Sequence, residues 1–492
     1  MKKENVPLNM SAAEFREVGY DLIDRIAEFL DELPERKVTS ALRPDEVRGL
    51  LMDSDLPEDG AEAGTILSES AQLLFAHSLF NGHPRFWGYI TSSATPVGAL
   101  ADLLASSVNP NVGAYVLSPV ATEIERQTVR WLAQFIGYDH DCGGLFVSGG
   151  NMANLVGFLA ARKNIIKQDI RKEGLSQALT GKKGLTVYCA KGTHTWISKA
   201  ADLFGHGTDA IRWIDLTDSE QIDVFLLEKS IQADLDAGYL PFMVVGNAGS
   251  VGTGVIDPLA AIASICKKYD LWFHVDGAYG APAAALPELA NAFNGLSLAD
   301  SIALDPHKWL YAPLEAGCIL VKDGRHLHET FAFNPDYYNF DGDQTDKPVN
   351  FHEYGMQNSR GFRALKVWAA LKQAGRNGYM SMIRKDIDLV NKLASLITTT
   401  PQLECVTVNL SIVTFRYVPE NLPPGNPEKY LNTLNEKLVN RLQAGGEVFL
   451  SNAVVKGQYC LRMCIVNFRT RREDMDYLVD IVLREGERLH LE

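Results

Sequence analysis

Apolar residues recur at helical spacing at Phe15, Val18, Leu22, Ile26, Phe29, Leu30 and Leu33, with polar residues between them. This spacing predicts an amphipathic helix over Ser11 to Leu33, opened by the capping-box pair Ser11 and Glu14 and stopped by Pro34. A second helix is predicted over Thr65 to Leu79. A third follows Ser118-Pro119, with Ser118 as its cap and Gly137 at its end. Between the second and third, His83-Pro84-Arg85-Phe86-Trp87-Gly88-Tyr89 and the small residues up to Pro96 read as a rigid aromatic loop.

From Leu145 the pattern changes. Short β-rich runs at Leu145–Val147, Leu185–Cys189, Ala210–Ile214, Phe242–Gly246, Trp272–Val275, Ser301–Leu304 and Gly317–Lys322 alternate with helical stretches such as Asn151–Arg162, Asp218–Asp236 and Pro258–Tyr269. Strands apolar on both faces with helices between them predict an α/β fold, its sheet mostly parallel, seven-stranded and covered on both sides. After Gly361 come helices over Phe362–Ala374 and Gly378–Thr398. Strands near Ser411–Arg416 and Tyr459–Ile465 follow, with helices at Pro427–Gln443 and Arg471–Leu489. Three units are expected: a helical arm over residues 1–90, a large domain over 91–377, and a smaller α+β domain over 378–492. The arm must bury its apolar stripe on its own body or on a second copy of the chain.

Composition narrows the function classes. The 492 residues carry a net charge of -14, spread along the chain, which argues against nucleic acid or anionic membrane as a partner. The seven cysteines are odd in number and irregularly spaced, which fits a reducing cytoplasmic compartment. Cys460 and Cys464 lack the partner pair that zinc spacing requires, so no metal is expected. The N-terminal Met1-Lys2-Lys3-Glu4 has no apolar core behind it, and no run of about twenty apolar residues occurs; neither a signal peptide nor a membrane span is expected.

The candidate chemistry falls at strand ends, where α/β sheets bind ligands. Asp305-Pro306-His307-Lys308-Trp309 follows the apolar run Ser301–Leu304. A lysine there is either a snorkelling side chain or one held covalently by an aldehyde cofactor. Val147-Ser148-Gly149-Gly150-Asn151 lies between a strand and a helix, where Gly149, Gly150 and Asn151 form an anion cradle of converging amides and helix dipole. Asp276 ends another strand and would suit a protonated pyridine nitrogen, which becomes a better electron sink beside a carboxylate. Ala278 is small enough to let a ring approach. His194 could stack on a flat cofactor, and Ser250 could hydrogen-bond the ring substituents or the phosphate. Together these are the contacts that pyridoxal phosphate requires.

These motifs resemble the group II pyridoxal-phosphate-dependent amino-acid decarboxylases of the aromatic-L-amino-acid decarboxylase type. The resemblance is carried by Ser11-Phe15-Arg16, His83-Pro84-Arg85-Phe86, Ser118-Pro119, Ser148-Gly149-Gly150-Asn151, His274-Val275-Asp276-Gly277-Ala278-Tyr279, Pro306-His307-Lys308-Trp309 and Arg360-Gly361-Phe362-Arg363-Ala364-Leu365-Lys366. It implies the aspartate-aminotransferase-like fold (fold type I) and a homodimer with active sites at the interface. It implies Lys308 as the Schiff-base lysine, Asp276 as the pyridine partner, His194 as the stacking residue, and Gly150 and Asn151 at the phosphate. Ala278, Ser250 and His307 would surround the ring. The family's loop tyrosine, the proton donor, corresponds to Tyr337, with Tyr338 the adjacent alternative. Asp305 departs from the family's common asparagine; a carboxylate would repel a phosphate, so Asp305 is expected on backbone amides.

The implied reaction is decarboxylation of an L-amino acid to its amine and carbon dioxide. Phe86, Trp87, Tyr89 and Tyr115 favour an aromatic substrate, and Ser359 would tune phenol against indole. The rival substrates are glutamate, aspartate or 2,4-diaminobutyrate, which would need a cationic partner such as Arg85 or Arg360. A rival activity is oxidative aldehyde synthesis, in which the loop tyrosine is typically phenylalanine. A non-catalytic scaffold would be expected to have lost Lys308 or Asp276.

Overall fold

The computed structural model describes residues 6–51, 55–333 and 348–492. Seven strands form the central sheet: β1 (Gly143–Val147), β2 (Leu185–Ala190), β3 (Ile211–Ile214), β4 (Leu240–Asn247), β5 (Trp272–Asp276), β6 (Ser301–Leu304) and β7 (Gly317–Val321). Their order is β1-β7-β6-β5-β4-β2-β3, and only β7 runs against the others. The mostly parallel α/β sheet read from the sequence is thus the observed one.

Alternation along these strands feeds two cores. Val244, Phe273, Val275, Ile302 and Leu304 face helices Pro119–Ile136 and Leu259–Tyr269. Met243, Val245, Trp272, Ala303 and Ile319 face helices Gly150–Ile165 and Trp196–Leu203. Four consecutive β4 residues, Phe242 to Val245, have no exposed surface, which is why the central strands read as unbroken apolar runs. A second, antiparallel sheet has the order β10-β11-β9-β8, from β8 (Leu403–Asn409), β9 (Ile412–Tyr417), β10 (Ser451–Val455) and β11 (Gln458–Cys464). Helices Ala364–Thr399, Pro427–Gly445 and Glu473–Leu491 cover it.

The first helix, Ala12–Glu32, carries the expected capping box: Glu14 N–H donates to Ser11 Oγ at 3.3 Å and Ser11 N–H to Glu14 Oε2 at 2.6 Å. Ser118 is the N-cap residue of helix Pro119–Ile136, as expected, but its hydroxyl donates to the Asn111 carbonyl at 2.7 Å and accepts from no helix amide. The stretch beyond Pro96, where no helix was expected, is the helix Pro96–Val108. Its small residues disguise a packing face: a Cβ on Gly98 would lie 2.4 Å from Pro313 Cδ. The two helices expected after Gly361 follow one another within Ala364–Thr399, separated by the non-helical Gly375, where φ is +64°. Trp87 belongs to the C-terminal core, and Phe86 pairs in a β-bridge with Phe449, so the chain joins that layer before residue 90.

Behind the Lys308 turn, Asp386 of the long helix accepts from Trp309 Nε1 at 3.0 Å and from Tyr311 Oη at 2.8 Å. Burial pushes its carboxyl up to about 7. A carboxyl raised in the folded state loses stability for the fold as pH climbs from its ordinary value to the raised one, by about 1.4 kcal/mol per pH unit at most. Asp386→Asn is therefore expected to match the wild type in urea midpoint near pH 4 and to exceed it at pH 8. Equal midpoints at pH 8 would contradict this account of Asp386.

Candidate active site

The C-terminal ends of β2, β4, β5 and β6 open into one cleft with the N-terminus of helix Gly150–Ile165. Its lining includes Gly150, Asn151, His194, Asp276, Ala278 and Lys308, together with Ile90, Asn154, Asn247, Gly249, Val251 and Tyr279. Residues as far apart in the chain as Gly150 and Lys308 thus meet because each follows a neighbouring strand or opens the helix beside it.

Lys308 Nζ lies 3.0 Å from Asp305 Oδ2. Burial opposes the ammonium charge, but the Asp305 and Asp276 carboxylates outweigh it and raise the lysine pKa. Asp305 is buried and pairs with Lys308, with His307 Nε2 3.8 Å away; the expected backbone-amide role is replaced by an ion pair. The short turn from Asp305 to Lys308 brings the two side chains to the same side.

The cradle is built as its glycines require. A Cβ on Gly150 would lie 2.6 Å from Asp305 Oδ2 and 3.0 Å from the Ala278 methyl, so only glycine fits. Gly149 precedes the first helical residue, and its Cβ position would touch His307 Cε1 at 3.4 Å. Asn151 Oδ1 is buried without a hydrogen-bond partner. With its amide turned so that the NH2 points outward, this unpaired side chain joins the free helix-terminal amides as a donor to a phosphate ester. His307 sits behind the cradle, its Nδ1 2.8 Å from the Ala316 carbonyl.

Asp276 carries three donors. Its Oδ2 accepts from Trp196 Nε1 at 2.8 Å and Asn154 Nδ2 at 3.2 Å, and its Oδ1 accepts from Ala278 N–H at 3.2 Å. His194 accepts from Trp196 N–H at Nδ1, 3.3 Å away, so its neutral ring carries the proton on Nε2. Burial lowers the His194 pKa, and the Lys308 charge works in the same direction against the pull of Asp276. Asn154 and Trp196 were missed by the sequence reading. Asn154 is a polar residue inside an apolar helical run, and Trp196 stands two residues after His194; those were the available signals.

The structure places the other expected residues outside the lining of this cleft. Ser250 turns into its own loop, where Oγ meets Thr253 Oγ1 at 2.9 Å and accepts from Val255 N–H at 3.2 Å, so it does not line the cleft. Trp87 is fully buried in the C-terminal core and donates from Nε1 to Thr470 Oγ1 at 3.1 Å. Phe86 is buried and stacks on Phe449 with centroids 5.3 Å apart. Neither ring reaches the cleft, because the two aromatic residues anchor the neighbouring sheet. Tyr89, Tyr115 and Ser359 also do not line it; Tyr89 and Ser359 are exposed and Tyr115 is half-buried. Tyr337 and Tyr338 lie outside the described residues. Arg462, buried and unnoticed in the sequence, donates to the carbonyls of Gly252 and Tyr89, tying two segments that flank the cleft.

The two arginines considered for a charged substrate are engaged elsewhere. Arg85 binds Asp474 at 3.1 Å and lies over the Tyr477 ring. Arg360 forms a fully buried pair with Glu125 and donates to the carbonyls of Val112 and Phe146. Removing one member of such a pair strands the other charge, at a cost of about 3–5 kcal/mol. Glu125→Ala is expected to lower the urea midpoint accordingly, and an unchanged midpoint would remove this pair from the stability of the fold.

The conserved domain of pyridoxal-dependent decarboxylases matches residues 44–418. An aromatic-L-amino-acid decarboxylase of Bacillus atrophaeus is 33% identical over 469 residues, covering 95% of this chain and 94% of that protein. Among solved structures, Oryza sativa TDC with pyridoxal phosphate and tryptamine superposes with a TM-score of 0.91 at 25% identity, covering 99% of this chain and 100% of that one. Catharanthus roseus tryptophan decarboxylase in complex with L-tryptophan gives a TM-score of 0.87 at 26% identity, covering 98% and 99%. The aspartate-aminotransferase-like fold expected from the motifs is the fold shared with these enzymes. With the lysine, the pyridine-suited carboxylate and the glycine cradle converging on one cleft, the chain belongs to the pyridoxal-dependent decarboxylases, carboxy-lyases whose cofactor is pyridoxal phosphate.

Proposed function

We propose that this enzyme decarboxylates an aromatic L-amino acid of the tryptophan, tyrosine, phenylalanine or dopa type to the corresponding amine. The observation that carries the site assignment is that Lys308 Nζ and the Asp276 carboxylate open into the same cleft as the Gly149-Gly150-Asn151 cradle. Lys308 would hold the cofactor covalently, Gly149, Gly150 and Asn151 would receive its phosphate, and Asp276 would pair with its pyridine nitrogen. Ala278 would leave room for the ring and the neutral His194 would stack on it. When bound, the cofactor supplies the electron sink for the pair left behind by departing carbon dioxide.

The chain's own groups set the rest. Asp305 stabilises the Lys308 ammonium and so keeps the lysine placed before loading and after its release. Tyr337, with Tyr338 as the neighbouring alternative, delivers a proton to the α-carbon. An aromatic substrate is supported by the relatives above and by the engagement of Arg85 and Arg360 away from the cleft. Tyr337→Phe is expected to lower amine yield and, with dioxygen present, to raise aldehyde and hydrogen peroxide. Unchanged amine output would remove Tyr337 from the reaction.

We also propose a homodimer in a reducing cytoplasm. Helix Ala12–Glu32 buries none of its residues and exposes Phe15, Tyr20, Ile23 and Ile26. Helix Pro96–Val108 and the turn after it expose Leu100, Leu103, Leu104, Val108, Val116 and Leu117. Apolar surface of that extent is characteristic of a subunit interface. Tyr115 and Ser359 lie outside the cleft of their own chain and are proposed to serve the partner's. The seven free thiols support the compartment. No helix among the described residues is long and apolar enough to cross a membrane. Sedimentation equilibrium is expected to give twice the chain mass; a monomer with full activity would overturn the dimer.

A further inference from the structure

A buried chain of hydrogen bonds runs from Asp276 into the core. Asn154 Nδ2 donates to Asp276 Oδ2, and Asn154 Oδ1 lies 2.7 Å from His274 Nε2. His274 Nδ1 lies 2.7 Å from Ser301 Oγ, which accepts from Trp272 Nε1 at 2.8 Å. All four residues beyond Asp276 are at most 3% exposed.

The direction of every bond follows from chemistry. A carboxylate only accepts, so the Asn154 amide must turn its NH2 towards Asp276 and its carbonyl towards His274. His274 therefore carries its proton on Nε2 and accepts at Nδ1. Trp272 only donates, which leaves the Ser301 hydroxyl proton for His274 Nδ1. Burial holds the His274 pKa down at about 4, so the ring stays neutral and keeps this tautomer. Every donor in the row points towards Asp276.

The fold makes room for it. A Cβ on Gly157 would lie 3.0 Å from both Cε1 and Nδ1 of His274, so glycine in the covering helix admits the imidazole. That helix also begins at the Gly150 cradle, so one rigid element presents the anion site at its tip and the Asn154 donor one turn later. Oδ2 of Asp276 already accepts two hydrogen bonds and Oδ1 one, which leaves an acceptor position on Oδ1 facing the cleft.

We propose that Asn154, His274 and Ser301 are positioning residues, a one-way relay that stabilises the charge on Asp276 and so holds the shared proton on the cofactor's ring nitrogen. Hydrogen bonds to a carboxylate favour its charged form, and a buried ion pair needs them to outcompete the neutral pair. The proposal rests on Asp276 being the partner of that nitrogen.

The test uses holoenzyme reconstituted with pyridoxal phosphate carrying nitrogen-15 in its ring. The relay predicts that the ring-nitrogen resonance moves towards the unprotonated pyridine position in Asn154→Leu and in His274→Phe. In His274→Gln, which keeps a donor towards Asn154 and an acceptor towards Ser301, it returns to the wild-type position. Ser301→Ala, which removes a single hydroxyl, moves it the same way by less, and covers the case in which a larger change prevents folding. Cofactor dissociation is expected to rise about tenfold in Asn154→Leu, the loss of one charge-assisted hydrogen bond. A wild-type resonance in Asn154→Leu and Ser301→Ala, with cofactor bound, overturns the relay. Asp276→Asn separates the two readings: if its resonance also stays put, the Asp276 assignment fails; if it alone moves, only the relay fails.

Discussion

Lys308→Ala is expected to abolish the visible absorbance of the lysine-linked cofactor and to lower decarboxylation by several orders of magnitude, as removal of a covalent nucleophile does. The geometry adds a second signature. Lys308 Nζ is 3.0 Å from Asp305 Oδ2 and neutralises a carboxylate buried at the cradle. Without the ammonium, that charge stands alone beside the phosphate position. Breaking a buried pair costs about 3–5 kcal/mol, and the 22% exposure of the lysine side chain puts this pair at the low end. The variant should therefore unfold at lower urea than the wild type, and Lys308→Ala combined with Asp305→Asn should recover part of the loss. Absorbance and activity are separable from this stability effect, because the double variant recovers only the latter. Borohydride reduction of the wild type followed by peptide mass analysis should leave the pyridoxyl group on Lys308. Finding it on another lysine would defeat the assignment.

Asp276→Ala is the second large effect. It removes the acceptor on which Trp196, Asn154 and the Ala278 amide converge, and leaves two side-chain donors buried without partners. An electrostatic group that acts directly on developing charge is worth about 10²–10³ in rate. A loss of that order in kcat is expected, with weakened cofactor retention measured by dialysis. Asp276→Glu should recover neither in full, since the carboxylate would be displaced by one methylene in a site with no slack. Wild-type kcat in Asp276→Ala would remove the carboxylate from catalysis.

The sheet was readable because its physics is repetitive. Runs such as Phe242–Gly246 are buried on both faces and announce themselves, and a chemically unusual residue at each strand end marked Lys308, Asp276 and His194. The helix Pro96–Val108 was hidden because the residues it buries are the small Gly98 and Ala101, with Gly98 packed on Pro313. Strand β10 alternates half-exposed Ser451–Val455 and lacks a continuous apolar run. Aromatic side chains were the least readable. Phe86 and Trp87 have the composition of a substrate wall, yet a ring buried against Phe449 or Thr470 carries the same letters as one lining a cleft. Asn154 signalled only its polarity inside an apolar helical run; its role depends on which strand its helix covers, and that is a property of the tertiary fold.

The central claim is tested most directly by incubating the purified enzyme and pyridoxal phosphate with a panel of L-amino acids and identifying the products by mass spectrometry. The account predicts carbon dioxide and the amine from one or more of tryptophan, tyrosine, phenylalanine and dopa, with little from acidic amino acids or diaminobutyrate. Amine formed only from glutamate, aspartate or 2,4-diaminobutyrate, or aldehyde and hydrogen peroxide in place of amine, would contradict it.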